Sequence, residues 1–82
     1  MTVTIYSTSI CAACRTLTGW LDKQHVPYTK KVTDEDPAVM AEFMAVNEGN
    51  IGVPFSIVVD DAGQETKIPG FDQAAFKQAL GL

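Results

Sequence analysis

A chain of 82 residues, 46% of them apolar and 20% charged, suffices for one domain around one hydrophobic core and is too apolar for a disordered segment. Its formal net charge of -4 argues against nucleic acid or an anionic membrane surface as a partner. The six basic residues, Arg15, Lys23, Lys30, Lys31, Lys67 and Lys77, are scattered and form no basic patch.

In chain order, Thr2-Val3-Thr4-Ile5-Tyr6 alternates polar and apolar residues and predicts a first strand. The polar turn Ser7-Thr8-Ser9 offers hydroxyls for the N-cap region of a helix running from about Ala12 to Gln24, with Cys14, Leu17 and Leu21 on one stripe. Pro27 restricts the chain before it, and Tyr28 to Val32 predicts a second strand. Thr33-Asp34-Glu35-Asp36-Pro37 reads as an acidic helix start. Met40, Phe43, Met44 and Asn47 take core spacing along that helix, which stops in Asn47-Glu48-Gly49-Asn50.

Val53 to Val59 is the strongest strand, opened by Val53-Pro54. Asp60-Asp61-Ala62-Gly63 is a short hairpin connection, and Gln64 to Ile68 returns before Pro69-Gly70 breaks the strand. Asp72 then caps a last helix with Ala75, Phe76, Ala79 and Leu80 inward. The order βαβαββα predicts a parallel first pair joined by a right-handed crossover, then an antiparallel hairpin. One mixed four-stranded sheet flanked by helices satisfies both, as a single α/β domain over residues 1–82.

The N-terminus lacks a basic region followed by an apolar stretch and a small-residue cleavage site. The apolar run around Val53 to Val59 is far short of the roughly 20 residues a spanning helix needs. A cytoplasmic location is expected, where structural disulfides do not persist. The only two cysteines, Cys11 and Cys14, are therefore expected to be catalytic or metal-binding. A bridge over so short a loop would add roughly 2 kcal/mol, less than a long-loop crosslink gives, so a structural staple is the weaker reading.

Two thiols three positions apart on a first helical turn can close a disulfide. The helix N-terminus carries about half a positive charge and stabilises an anion by up to ~2 kcal/mol. That is about 1.5 pKa units, enough to bring a free thiol from ~8.5 toward 7. Cys11, at the cap, is expected to be the exposed nucleophile, and Cys14, on the stripe of Leu17, the buried resolving thiol. Arg15 is either an added positive charge or a solvated side chain. Metal binding is the competing use of Cys-x-x-Cys. Zinc needs four ligands, and the chain offers two cysteines and His25, which falls at the far end of the first helix. No metal is expected within one chain; a dimer sharing a metal or an iron–sulfur cluster through Cys11 is the alternative. Trp20 and His25 are expected to be a packing residue and a surface residue.

Three segments, in order and on the right elements, resemble the glutaredoxin family of the thioredoxin-like superfamily over essentially the whole chain. Ile5-Tyr6-Ser7-Thr8-Ser9-Ile10-Cys11-Ala12-Ala13-Cys14 is similar to the strand and redox loop, and Gly52-Val53-Pro54 to the loop whose cis-proline faces the cysteines. Pro69-Gly70-Phe71-Asp72 is similar to the turn that in glutaredoxins holds the carboxylate of glutathione. The resemblance implies a thioredoxin-like fold and a cis bond at Val53-Pro54. It also implies substrate contacts from Thr8, Ala12, Ala13, Val53, Pro54, Gly70, Phe71 and Asp72. Phe71 has a second reading as a core residue.

It further implies a thiol–disulfide oxidoreductase in which Cys11 attacks a disulfide-bearing protein substrate or a mixed disulfide, and Cys14 resolves the adduct. Single-domain size and Pro69-Gly70-Phe71 resemble the NrdH-type redoxins, which donate electrons to ribonucleotide reductase. Tyr6-Ser7-Thr8-Ser9 and Asn47-Glu48-Gly49-Asn50 resemble mycoredoxins, which serve another small thiol. Thr8 replaces a common glutathione-contacting lysine and Ala12-Ala13 a common Pro-Tyr. The expected reductant is accordingly open among glutathione, mycothiol and thioredoxin reductase, with no tightly bound cofactor and a monomeric chain.

Overall fold

The computed structural model describes residues 1–82. Strand β1 (Thr2–Ser7) leads into helix α1 (Ala12–Lys23), strand β2 (Thr29–Val32) and helix α2 (Pro37–Val46). Strands β3 (Phe55–Val59) and β4 (Glu65–Pro69) and helix α3 (Gln73–Leu80) follow. The four strands form one sheet in the order β2-β1-β3-β4. β1 and β2 are parallel, with Tyr6 opposite Lys31; β3 is antiparallel to β1, with Tyr6 opposite Phe55, and antiparallel to β4. This is the mixed sheet and βαβαββα order that the sequence implies. No helix is long and apolar enough to cross a membrane.

These directions decide where the loops meet. β1, β2 and β4 all end at the edge of the sheet where β3 begins. The segments Thr8–Cys11, Thr33–Asp36, Val53–Pro54 and Gly70–Asp72 therefore gather at one edge, although they are spread along the chain.

Successive strand residues point to opposite faces, so Ile5 and Tyr6 enter different cores. On one face Val3, Ile5, Val58 and Ile68 pack with Leu17 and Leu21 of α1 and Phe76 and Leu80 of α3. On the other, Tyr6 and Phe55 pack with Phe43 of α2. Each helix start is satisfied locally. Asp36 accepts from Ala38 N–H at 2.9 Å, with Pro37 in the first turn, and Asp72 accepts from Ala75 N–H at 3.1 Å. In the hairpin, Asp60 Oδ1 accepts from Ala62 and Gln64 N–H, both at 2.9 Å, and Gly63 takes a φ of 82°.

Four local expectations are corrected. Val53 and Pro54 lie before β3 rather than in it, since a proline nitrogen brings no donor to a sheet ladder. Pro69 closes β4 instead of breaking it, because β4 is an edge strand. Met40 and Met44 are 38% and 55% exposed, not core. Their helix is apolar nearly all round, so spacing did not reveal its inward side, which is Val39, Phe43 and Val46. Finally, none of the Ser7-Thr8-Ser9 hydroxyls caps α1; Cys11 does.

Candidate active site

Cys11 has extended backbone (φ -150°, ψ 100°) and occupies the N-cap of α1. Its sulfur takes the place that a capping oxygen usually fills and accepts from Cys14 N–H at 3.1 Å. Its carbonyl accepts from Arg15 N–H at 3.2 Å, the first hydrogen bond of the helix. Cys11 and Cys14 are joined in a disulfide, with Cα atoms 5.2 Å apart. Cys14 is 2% exposed because it begins the stripe Cys14, Leu17, Leu21 that α1 buries; Cys11 is half-buried, and Ala12 and Ala13 are exposed. One sulfur can thus be reached from outside and the other cannot. When the bridge is reduced, the same N–H and the helix end favour the thiolate of Cys11.

Around this pair the structure brings together part of the expected substrate platform. The Val53-Pro54 bond is cis. Gly70, at φ 71°, donates its N–H to the Pro54 carbonyl at 2.8 Å, which ties the loop after β4 to the loop before β3. Val53 packs on the Tyr6, Phe43 and Phe55 cluster. Other residues are turned elsewhere. The Thr8 hydroxyl donates to the Ile10 carbonyl at 3.2 Å. The Phe71 ring lies 5.7 Å from that of Trp20 and 6.3 Å from that of Phe76, so it extends the core under α1 and α3. Trp20 belongs to that packing, and the Asp72 carboxylate is engaged in its own cap. His25 is exposed beyond the opposite end of α1 from Cys11, and no three His, Cys, Asp or Glu side chains converge into a metal site.

Sequence reasoning overlooked three features near this edge. Ile10 and Ile51, 89% and 76% exposed, flank the cysteine and proline segments with apolar surface. Asp34 reaches back to Ser9, accepting from its N–H at 2.9 Å and its hydroxyl at 2.6 Å. The Ser9 hydroxyl holds the Asp34 carboxyl below the usual carboxylate range. On the α2 face, Tyr6 donates its hydroxyl to Glu42, which also accepts from Lys31 at 2.7 Å. Burial first, and then the Glu42 carboxylate, push the Tyr6 phenol well up, while Lys31 and then Tyr6 hold Glu42 down. The parallel pairing of β1 and β2 was the signal for the first of these contacts. It sends Ser9 and Asp34 out of adjacent strands at the same edge.

No protein-family model matches the chain. Over 44 residues, 54% of this chain, it is 36% identical to the global transcriptional regulator Spx 1 of Bacillus cereus and equally to that of Bacillus anthracis. The match spans only 34% of those regulators. The glutaredoxin from Methanosarcina mazei superposes with a TM-score of 0.80 at 21% identity, covering 99% of this chain and 79% of that one. The thioredoxin-like protein BC3987 superposes with a TM-score of 0.73 at 17% identity, covering 94% and 97%. The chain has the thioredoxin-like fold. That fold with a Cys-x-x-Cys pair at the start of α1 supports thiol redox chemistry.

Proposed function

We propose that this protein is a dithiol thiol–disulfide oxidoreductase with Cys11 as nucleophile and Cys14 as resolving thiol. The observation that carries the reading is the unequal pair. Cys11 is reachable and sits on the positive end of α1 with a backbone donor on its sulfur, while Cys14 is buried within bonding reach.

In the reduced protein the Cys11 thiolate attacks one sulfur of a substrate disulfide. A mixed disulfide forms, and the displaced sulfur leaves with the electron pair and takes up a proton. Cys14 loses its proton and attacks the Cys11 sulfur, which releases the second substrate sulfur and closes the Cys11–Cys14 bridge. The substrate gains two electrons and two protons, and the dithiol loses them. A small thiol such as glutathione or mycothiol, or thioredoxin reductase, returns them. Val53 and Pro54, held beside the loop of Gly70, form the surface on which the substrate backbone lies in this reading; Ala12 and Ala13 leave its approach open.

Turnover of a protein disulfide, followed with excess dithiothreitol, tests the assignment. Cys11→Ser is expected to abolish turnover, and Cys14→Ser to accumulate a mixed disulfide visible by mass. Full activity in Cys11→Ser rules the mechanism out. Supplying the oxidised protein with glutathione and its reductase, or with thioredoxin reductase, identifies the donor.

A further inference from the structure

The segment carrying Cys11 is held by a side chain 25 residues away in sequence. Between Ser7, where β1 ends, and Ala12, where α1 begins, four residues must turn the chain and present the sulfur. Thr33 donates its N–H and its hydroxyl to the Ser7 carbonyl, at 2.8 and 3.2 Å. Asp34 then accepts twice from Ser9, backbone and side chain, one donor on each carboxylate oxygen. The Thr8 hydroxyl curls the last part of the segment onto the Ile10 carbonyl. Beyond Ser9 the Ile10 side chain projects into solvent, so the Asp34 contact is the last tie to another element before the cap.

We propose that Asp34 is a positioning residue for the redox cysteine: by holding Ser9 at two points it keeps the Cys11 sulfur over the Cys14 N–H at the start of α1. The proposal rests on Cys11 being the attacking thiol. Its physical basis is the short range of helix-end stabilisation, which falls off within the first turn and so depends on where the sulfur stays. A segment released at Ser9 gains conformational freedom, and its sulfur spends less time on the donor. Direct electrostatics runs the other way, because a carboxylate near a thiolate disfavours the thiolate. The sign of the effect therefore separates positioning from mere proximity of charge.

The test is the pH dependence of iodoacetamide alkylation of the reduced full chain, read at the Cys11 peptide by mass. Buried Cys14 is resolved as a separate peptide after digestion with a protease that cleaves within Cys11-Ala12-Ala13-Cys14, or by fragmentation. Asp34→Ala is expected to slow Cys11 alkylation at neutral pH by about threefold and to move its midpoint up. Ser9→Ala, which keeps the backbone donor, is expected to slow it less. Asp34→Asn, which keeps one acceptor oxygen, is expected to restore part of the rate. An unchanged or faster rate in Asp34→Ala overturns the proposal, a faster one showing that only the charge is felt. If far-UV circular dichroism shows Asp34→Ala unfolded, Ser9→Ala decides by the same criterion. An ordinary midpoint of about 8.5 in the unaltered chain would remove the proposed function and the positioning role together. A lowered midpoint that no Asp34 or Ser9 variant moves removes the positioning role alone.

Discussion

On one face of the sheet Leu17, Leu21 and Phe76 are fully buried and pack with five other aliphatic side chains from the strands and α3. On the other, three buried aromatic rings share the interface with Tyr6, Glu42 and Lys31 joined through one carboxylate. The first face is held by packing, and α1, which carries the cysteines, rests on it. The second is held in part by polar groups, and the helix above it turns Met44 to solvent. A redox helix seated on a close-packed face has few alternative positions, which suits a reaction that needs two sulfurs within bonding distance.

Leu17→Ala is the strongest way to break this contrast. It removes a fully buried side chain one turn beyond Cys14 and is expected to cost about 3 kcal/mol by urea unfolding. A loss below about 1 kcal/mol would mean that the face collapses around the gap and is less rigid than its packing suggests.

Tyr6→Phe sharpens the other side. Losing the hydroxyl to Glu42 is expected to cost about 1.5 kcal/mol near neutral pH, the low end for a hydrogen bond to a charged group. Glu42 is held below its ordinary value in the folded protein, so its contribution is present above the ordinary carboxylate range and is lost as pH falls through the folded value. The gap between the unaltered chain and Tyr6→Phe should therefore narrow on acidification. A gap that stays constant from neutral pH into acid would show that the carboxylate charge plays no part.

The smallest effect has the opposite sign. Ser56, opposite Ile5 and Ile68, is fully buried on the packed face with no hydrogen-bond partner for its hydroxyl. Ser56→Ala removes that orphaned group and is expected to stabilise by about 1 kcal/mol, a rise of several degrees in Tm by calorimetry. A drop in Tm would show that the hydroxyl is satisfied after all and that this face, too, carries a polar tie.

Strands were legible where alternation was strict, as in Thr2 to Tyr6, and helix starts where an aspartate preceded the run, as at Asp36 and Asp72. The inward side of α2 was not, because a helix apolar all round has no period to read. Cys14 could be placed in the core from its spacing to Leu17 and Leu21. Cys11 as its own cap could not be, since serine and threonine stood just ahead of it and local preference favours their oxygens. Asp34 was read as a helix-start acid for the same reason: a local rule accounted for it, and its actual partner lay in another strand's exit loop.

By itself the sequence determined the element order, the two-faced strands and the placing of one cysteine at a helix start with the other a turn inside. Those are properties of neighbours, decided by periodicity and capping over a few residues. The tertiary structure alone decided that the loops of Ser9 and Asp34, and of Pro54 and Gly70, meet beside the disulfide. Strand order and direction set that meeting, and both depend on pairing between residues far apart in the chain.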